Sequence, residues 1–184
     1  MAERSRASRT MIKLVDVYEN GKPIPGAIEF LYEIIKERDP EINISHKALP
    51  SFDEHARFVL DRLFRLWYLI EFATPSNIQP TWVGYVSATH LNEIGIVLRK
   101  VYRGQGLGPA AIQRMMAMHR PLPAVKSWRS GCWLANIAPV NEHSKYMFQK
   151  LGFSKISETH AFPEEACHDD SNESPAHTGI AKEA

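Results

Sequence analysis

The chain has 184 residues, is 44% hydrophobic and carries a formal net charge of +1 with two cysteines. That length favours one domain with tails, and the near-neutral balance provides no global field for nucleic acid or an acidic membrane surface. No apolar run approaches the ~18 residues of a membrane span, the polar start lacks the apolar core of a signal peptide, and Cys132 and Cys167 are too few and too distant for a disulfide framework. A reduced, cytoplasmic setting is the expectation.

Residues 1–10 read as a flexible basic arm carrying Arg4, Arg6 and Arg9. Residues 12–18 alternate as a first strand, and the turn residues of 20–26 mark a loop. A helix follows, with Ala27, Ile28, Leu31, Ile34 and Ile35 on one face, and it stops near Asp39-Pro40. Residues 42–50 are irregular. Ser51 opens a second helix with Glu54 placed for a capping box, and Phe52, Ala56, Val59, Leu60, Leu63 and Phe64 form its core stripe. Residues 65–72 and 82–88 read as strands joined by a hairpin-like connection over 74–80, and a turn at 89–92 leads to the next strand.

That strand, from Glu93, is apolar and β-branched, and it runs into Arg103-Gly104-Gln105-Gly106-Leu107-Gly108. A helix begins directly afterwards, with Pro109 in its first turn. Strand, glycine loop and helix N-terminus together suit a phosphorylated cofactor. Glycines let the backbone approach an anion, and unpaired N–H groups and the helix dipole bind it. No Gly-Lys-Ser/Thr follows, so this is not a Walker loop, and the alternating glycines are not a dinucleotide fingerprint.

A proline-punctuated loop covers 121–126. A strand is expected at 131–137, a short helix at 141–150 ended by Gly152, and a last strand or strand pair at 153–162. From Pro163 the composition is acidic, small and polar, so 163–184 reads as a disordered tail. The order is β-α-α-β-β-β-α-β-α-β, a mixed α/β sheet with helices on both faces.

The glycine loop resembles the Arg/Gln-x-x-Gly-x-Gly/Ala loop of GNAT-type acyltransferases. About thirty residues later come Leu134-Ala135-Asn136, Asn141-Glu142-His143-Ser144 and Phe148-Gln149-Lys150-Leu151-Gly152-Phe153, which resemble the family's second motif. The resemblance covers residues 11–162. It implies an α/β GNAT fold, with a mixed sheet of about six to seven strands and splayed central strands forming an acyl-CoA cleft. It further implies acetyl-CoA as cofactor and transfer of its acetyl group to a primary amine.

By the same resemblance, Ile96, Val97 and Leu98 would pair with the pantetheine arm. Arg103, Gly104, Gln105, Gly106, Leu107, Gly108 and Pro109 would hold the pyrophosphate, and Asn136 and Asn141 would face the pantetheine and thioester. Each asparagine could instead cap a local element. The acceptor amine must lose a proton and the leaving thiolate must be stabilised. Glu93, at the start of the central strand, is the candidate base, and His90 is a weaker one. Where many members carry a tyrosine in the last helix this chain has Phe148, and Tyr146 points elsewhere. Ser144, acting through a water, or backbone N–H groups are the remaining thiolate donors.

The acceptor site is expected around the first two helices. His46, His55, Trp67 and His90 are its candidate lining, and Ser45-His46 with Glu54-His55 loosely resembles GNAT enzymes that acylate nucleotide-linked amino sugars. Both histidines could equally pack locally. A nucleic-acid acceptor, a protein acceptor, a homodimer and a non-catalytic acyl-CoA-binding module on the same fold stay open.

Overall fold

A computed structural model describes residues 11–44, 48–74 and 77–160. The basic arm at 1–10, the acidic tail at 163–184 and His46 lie outside the described residues.

Four strands build the main sheet: β1 (Met11–Asp16), β4 (Leu66–Thr74), β5 (Asn77–Ala88) and β6 (Ile94–Leu98), in the order β1-β4-β5-β6 with every neighbouring pair antiparallel. Between β1 and the first helix, β2 (Tyr18–Glu19) and β3 (Lys22–Pro23) form a small hairpin. Its turn is Asn20-Gly21, both at positive φ, the pair that a two-residue hairpin turn favours.

Side-chain alternation divides the sheet into two faces. Val17, Trp67, Leu69 and Tyr85 pack beneath α1 (Ala27–Lys36) and α2 (Phe52–Leu60). Ile70, Val86, Ala88 and Ile94 pack beneath α3 (Leu107–Met118) and α4 (Glu142–Lys150). The α1 start has no side-chain cap, whereas Ser51 and Glu54 complete a reciprocal capping box on α2. Burial therefore holds α1: Leu31 and Ile34 are wholly buried, each worth about 1.5–3 kcal/mol against ~1 kcal/mol for a cap.

His55 joins the two helices. Its Nε2 lies 3.2 Å from the Ile28 carbonyl oxygen, which can only accept, so this nitrogen carries the proton. Trp67 meets Tyr18, Phe58, Phe64 and Tyr85 edge-on. Gly84 is required by close approach: a Cβ there would lie 2.3 Å from the Val97 carbonyl oxygen on β6.

The sheet departs from the sequence expectation in three places. Strands β4 and β5 extend to Thr74 and from Asn77, which face each other, so the connection expected over 74–80 is largely strand. A register shift near that end admits Pro80 inside β5. Residues 131–137 form no strand: Leu134 alone bridges, in parallel, to Glu93. Residues 153–160 form no strand either. A strand needs a ladder of partners, and neither segment finds one along its length among the described residues. The expected six to seven strands are therefore four in the main sheet, among the described residues. The compact unit that holds the sheet ends at Phe153. Within 154–160, Lys155 pairs with Glu158.

A buried asparagine fixes where β6 starts. Asn92 closes the turn after β5, its N–H donating to the Thr89 carbonyl (3.1 Å), and it stands at φ 67°. Its Nδ2 donates to the carbonyls of Leu122 (2.9 Å) and Ser130 (2.8 Å), and its Oδ1 accepts from the Leu122 N–H (2.7 Å). Its own carbonyl accepts from Leu134 (2.9 Å). The side chain is wholly buried. No helix among the described residues is long and apolar enough to cross a membrane.

Two predictions follow from these buried polar groups. Asn92→Gly keeps the turn conformation but orphans three backbone groups, so it should cost ~3 kcal/mol or more, read as a lower urea midpoint at unchanged m. Burial, and secondarily the Arg38 charge, hold His55 below its ordinary value of 6.5, against the opposing bond to Ile28. The unfolded chain then binds the proton more readily, so stability falls as pH drops below about 6.5. Urea midpoints between pH 7 and pH 5 should show a shallower decline in His55→Gln.

Candidate active site

The site grows from the point where β6 parts from its next neighbour. Ile94 donates its N–H to the Leu134 carbonyl (2.8 Å), away from β5. At the other end Arg99 donates to the Val83 carbonyl (2.9 Å), toward β5. Backbone groups alternate along a strand, so Ile96 and Leu98 turn their amides to the outer edge while Gly95 and Val97 pair with β5. The Leu98 carbonyl is already taken, accepting from Arg103 Nε at 3.0 Å. Of the three residues expected to meet a pantetheine arm, Ile96 and Leu98 present backbone to the cleft. Val97 does not: it pairs opposite Tyr85 and packs against the core under α1 and α2.

Beyond β6, a single 3₁₀ turn (Lys100–Tyr102) leads into the glycine loop. Gln105 Nε2 donates to the Val101 carbonyl (3.1 Å) and braces the loop. Gly104 (φ 75°) and Gly106 (φ 76°) adopt the left-handed conformation, and a Cβ at either would meet nothing within 4 Å. Gly106 caps α3 without a side-chain bond, and no acidic residue stands in the first turn. The Leu107 and Gly108 amides precede the first intrahelical bond, which Ala110 makes to Gly106 (3.3 Å). Pro109, next in the turn, has no N–H to add. The loop is thus a cradle with unpaired donors at the positive end of a helix. Gly108 has a second role: a Cβ there would lie 3.3 Å from Met147 Sδ, where α3 packs on α4 and β6.

At the other end of the cleft stands Glu93, half-buried. Its Oε1 accepts from Asn136 Nδ2 (2.9 Å) and its Oε2 from the Thr89 hydroxyl (3.0 Å). The structure therefore brings two expected site residues together at the closed end of the cleft. Asn141 caps α4, its Oδ1 accepting from the Ser144 N–H at 3.0 Å, so its carbonyl serves the helix. Ser144 is half-buried in the first turn of α4, on the face that ends in Phe148. Phe148 is core, edge-on to Phe153. Tyr146 is exposed beneath the Lys150 ammonium. No phenol occupies the position of the usual acid.

The expected acceptor residues do not converge. His55 and Trp67 are buried packing groups at 4% exposure each, because a helix pair and a sheet face close over them. His90 is exposed in the turn, where its carbonyl accepts from Arg129 Nη1 at 3.4 Å. Thr89 and Asn92 belong to the site's framework and went unread. The available signal was a hydroxyl and an amide in one four-residue turn before an acid. On the opposite sheet face, the Tyr68 hydroxyl lies 2.7 Å from His119 Nε2. Burial pushes the phenol up and the imidazole down. No group of three or more His, Cys, Asp or Glu among the described residues could hold a metal.

An antiparallel sheet whose edge strand splays from the following segment and feeds a glycine-rich helix start is the architecture of the GNAT acetyltransferases, and this chain has that fold. A domain from Methanocaldococcus jannaschii superposes with a TM-score of 0.62 at 20% identity, covering 82% of this chain and 92% of that one. The spermidine/spermine N-acetyltransferase SpeG from Vibrio cholerae gives 0.56 at 14% identity, over 79% and 81%. The ribosomal L7/L12 alpha-N-protein acetyltransferase RimL, in complex with coenzyme A, gives 0.51 at 16% identity, over 78% and 79%. In sequence, 84 residues are 37% identical to an N-acetyltransferase 9-like protein of Nematostella vectensis, covering 45% of this chain and 40% of that protein. The chain thus spans well under half the length of that curated relative. No protein-family model matches the chain.

A side chain at Gly106 would fill the cradle and strain the turn by ~1–2 kcal/mol. Gly106→Val should remain folded and lose at least about tenfold in acetyl-CoA affinity, measured by calorimetry. Unchanged affinity would remove the loop from the cofactor site.

Proposed function

We propose that this chain is an acetyl-CoA-dependent N-acetyltransferase acting on a primary amine of a small molecule. The observation that carries the reading is the continuity of the unpaired β6 edge with the glycine cradle at the α3 start. Acetyl-CoA, when bound, supplies an activated acetyl thioester. Ile96 and Leu98 would hold the pantetheine arm by strand-like bonds. The Leu107 and Gly108 amides would take the pyrophosphate, helped by the terminal guanidinium nitrogens of Arg103.

Glu93 would accept a proton from the acceptor ammonium, because only the neutral amine attacks. Two hydrogen bonds leave its carboxylate further acceptor capacity. With Phe148 in place of a phenol, thiolate stabilisation falls to the Ser144 hydroxyl or to backbone N–H groups. The SpeG and RimL names point to a polyamine and a protein N-terminus respectively. The amino-sugar alternative rested on His46 and His55. The burial of His55 removes half of its support, so the acceptor is proposed as a small-molecule primary amine and no more closely.

The Phe148 substitution also favours a second reading, a non-catalytic acyl-CoA-binding module on this fold. Thiol release from acetyl-CoA across amino sugars, polyamines, aminoglycosides and short peptides separates the two. Turnover with any amine supports the enzyme, and tight binding of acetyl-CoA with no turnover supports the module. In an active protein, Glu93→Gln should lower kcat by about 10²-fold or more at unchanged acetyl-CoA affinity. Wild-type turnover in that variant would remove Glu93 as the base.

A further inference from the structure

We propose that Thr89 and Asn136 form a two-sided clamp that orients the Glu93 carboxylate, with Thr89 a positioning residue for proton transfer and Asn136 its counterpart on the opposite bank. The inference rests on Glu93 being the base. The Thr89 hydroxyl is fully used: it donates to Glu93 Oε2 (3.0 Å) and accepts from the N–H groups of Glu93 (3.2 Å) and Leu91 (3.1 Å). One donor and two acceptor sites are all that a hydroxyl has. The same turn is closed by Thr89 N–H donating to the Glu93 carbonyl (3.0 Å). Thr89 therefore fixes both the backbone and the carboxylate of Glu93.

Asn136 belongs to the segment that leaves β6 after Leu134, and its Nδ2 reaches back 2.9 Å to Oε1. The two donors bind different oxygens from opposite banks of the cleft. They fix the carboxylate plane, which a single bond would let swing. Among the described residues no lysine, arginine or histidine nitrogen lies within 4 Å of the Glu93 carboxylate. The neighbouring His90 is exposed, and Arg129 is spent on the Pro123 and His90 carbonyls. Neutral donors alone hold the base, so its orientation follows the position of both banks.

The test compares Thr89→Val, Thr89→Ser, Asn136→Ala and Glu93→Gln with the wild-type protein, using whichever amine gives turnover. Thr89→Val keeps the volume and removes the hydroxyl. It should lower kcat about tenfold, move the acid limb of the kcat/KM–pH profile to higher pH and leave the calorimetric Kd for acetyl-CoA unchanged. Thr89→Ser should restore both rate and profile. Asn136 is exposed, so Asn136→Ala tests the other arm without threatening the fold, and it should shift the profile in the same direction. If Glu93→Gln abolishes turnover while Thr89→Val and Asn136→Ala keep the wild-type rate and profile, the clamp is overturned and the base stands. If Glu93→Gln keeps wild-type turnover, the clamp falls together with the base.

Discussion

Everything at the candidate site depends on the parting of β6 from the segment that follows α3. One bridge, Glu93 to Leu134, joins the two. Beyond it the outward amides of β6 have no protein partner among the described residues, although unsatisfied backbone groups are costly when buried. The bridge is held from behind by Asn92, whose side chain ties Leu122 and Ser130 into the same turn and whose carbonyl takes the Leu134 amide. This wholly buried asparagine stands at positive φ and also closes the turn after β5. It sets the closed end of a wedge whose open end is the glycine loop.

The loop itself was legible because its information is local. Arg103 to Gly108 specify a conformation through glycine, and Pro109 fits the first turn of α3 whatever surrounds it. The bodies of β4 and β5 were equally plain from their apolar and aromatic runs, although their facing ends near 74–80 were not. The polar lining was not legible in the same way. His55 and Trp67 looked like site residues because imidazole and indole suit ligands, but their positions are decided by which faces of α1, α2 and β4 close on one another. Thr89 and Asn92 were hidden for the opposite reason. A turn residue announces a turn, and nothing in its letters says that the hydroxyl saturates itself on a carboxylate four residues on.

The strands expected at 131–137 and 153–162 show a third kind of limit. Residue type and place in the chain order were all that could be read there. Whether such a segment becomes a strand depends on a partner along its whole length, and Leu134 finds one for a single residue. Gly84 and Gly106 make the same point in miniature. Both are glycines near one strand, yet the first is demanded by the Val97 carbonyl pressing on it and the second stands over open space. Only the packing tells them apart.

An exposed strand edge is a hazard, because another chain can extend the sheet across it. Here the hazard is limited by how little edge remains. The Leu134 bridge occupies one end, and the Arg103 guanidinium stoppers the carbonyl of Leu98 at the other. Between them, among the described residues, stand only the carbonyl of Ile94, the amide and carbonyl of Ile96 and the amide of Leu98. That is enough ladder for a slender ligand and too little to template a neighbouring strand. The same truncation that makes room for a cofactor thus limits strand addition at the β6 edge.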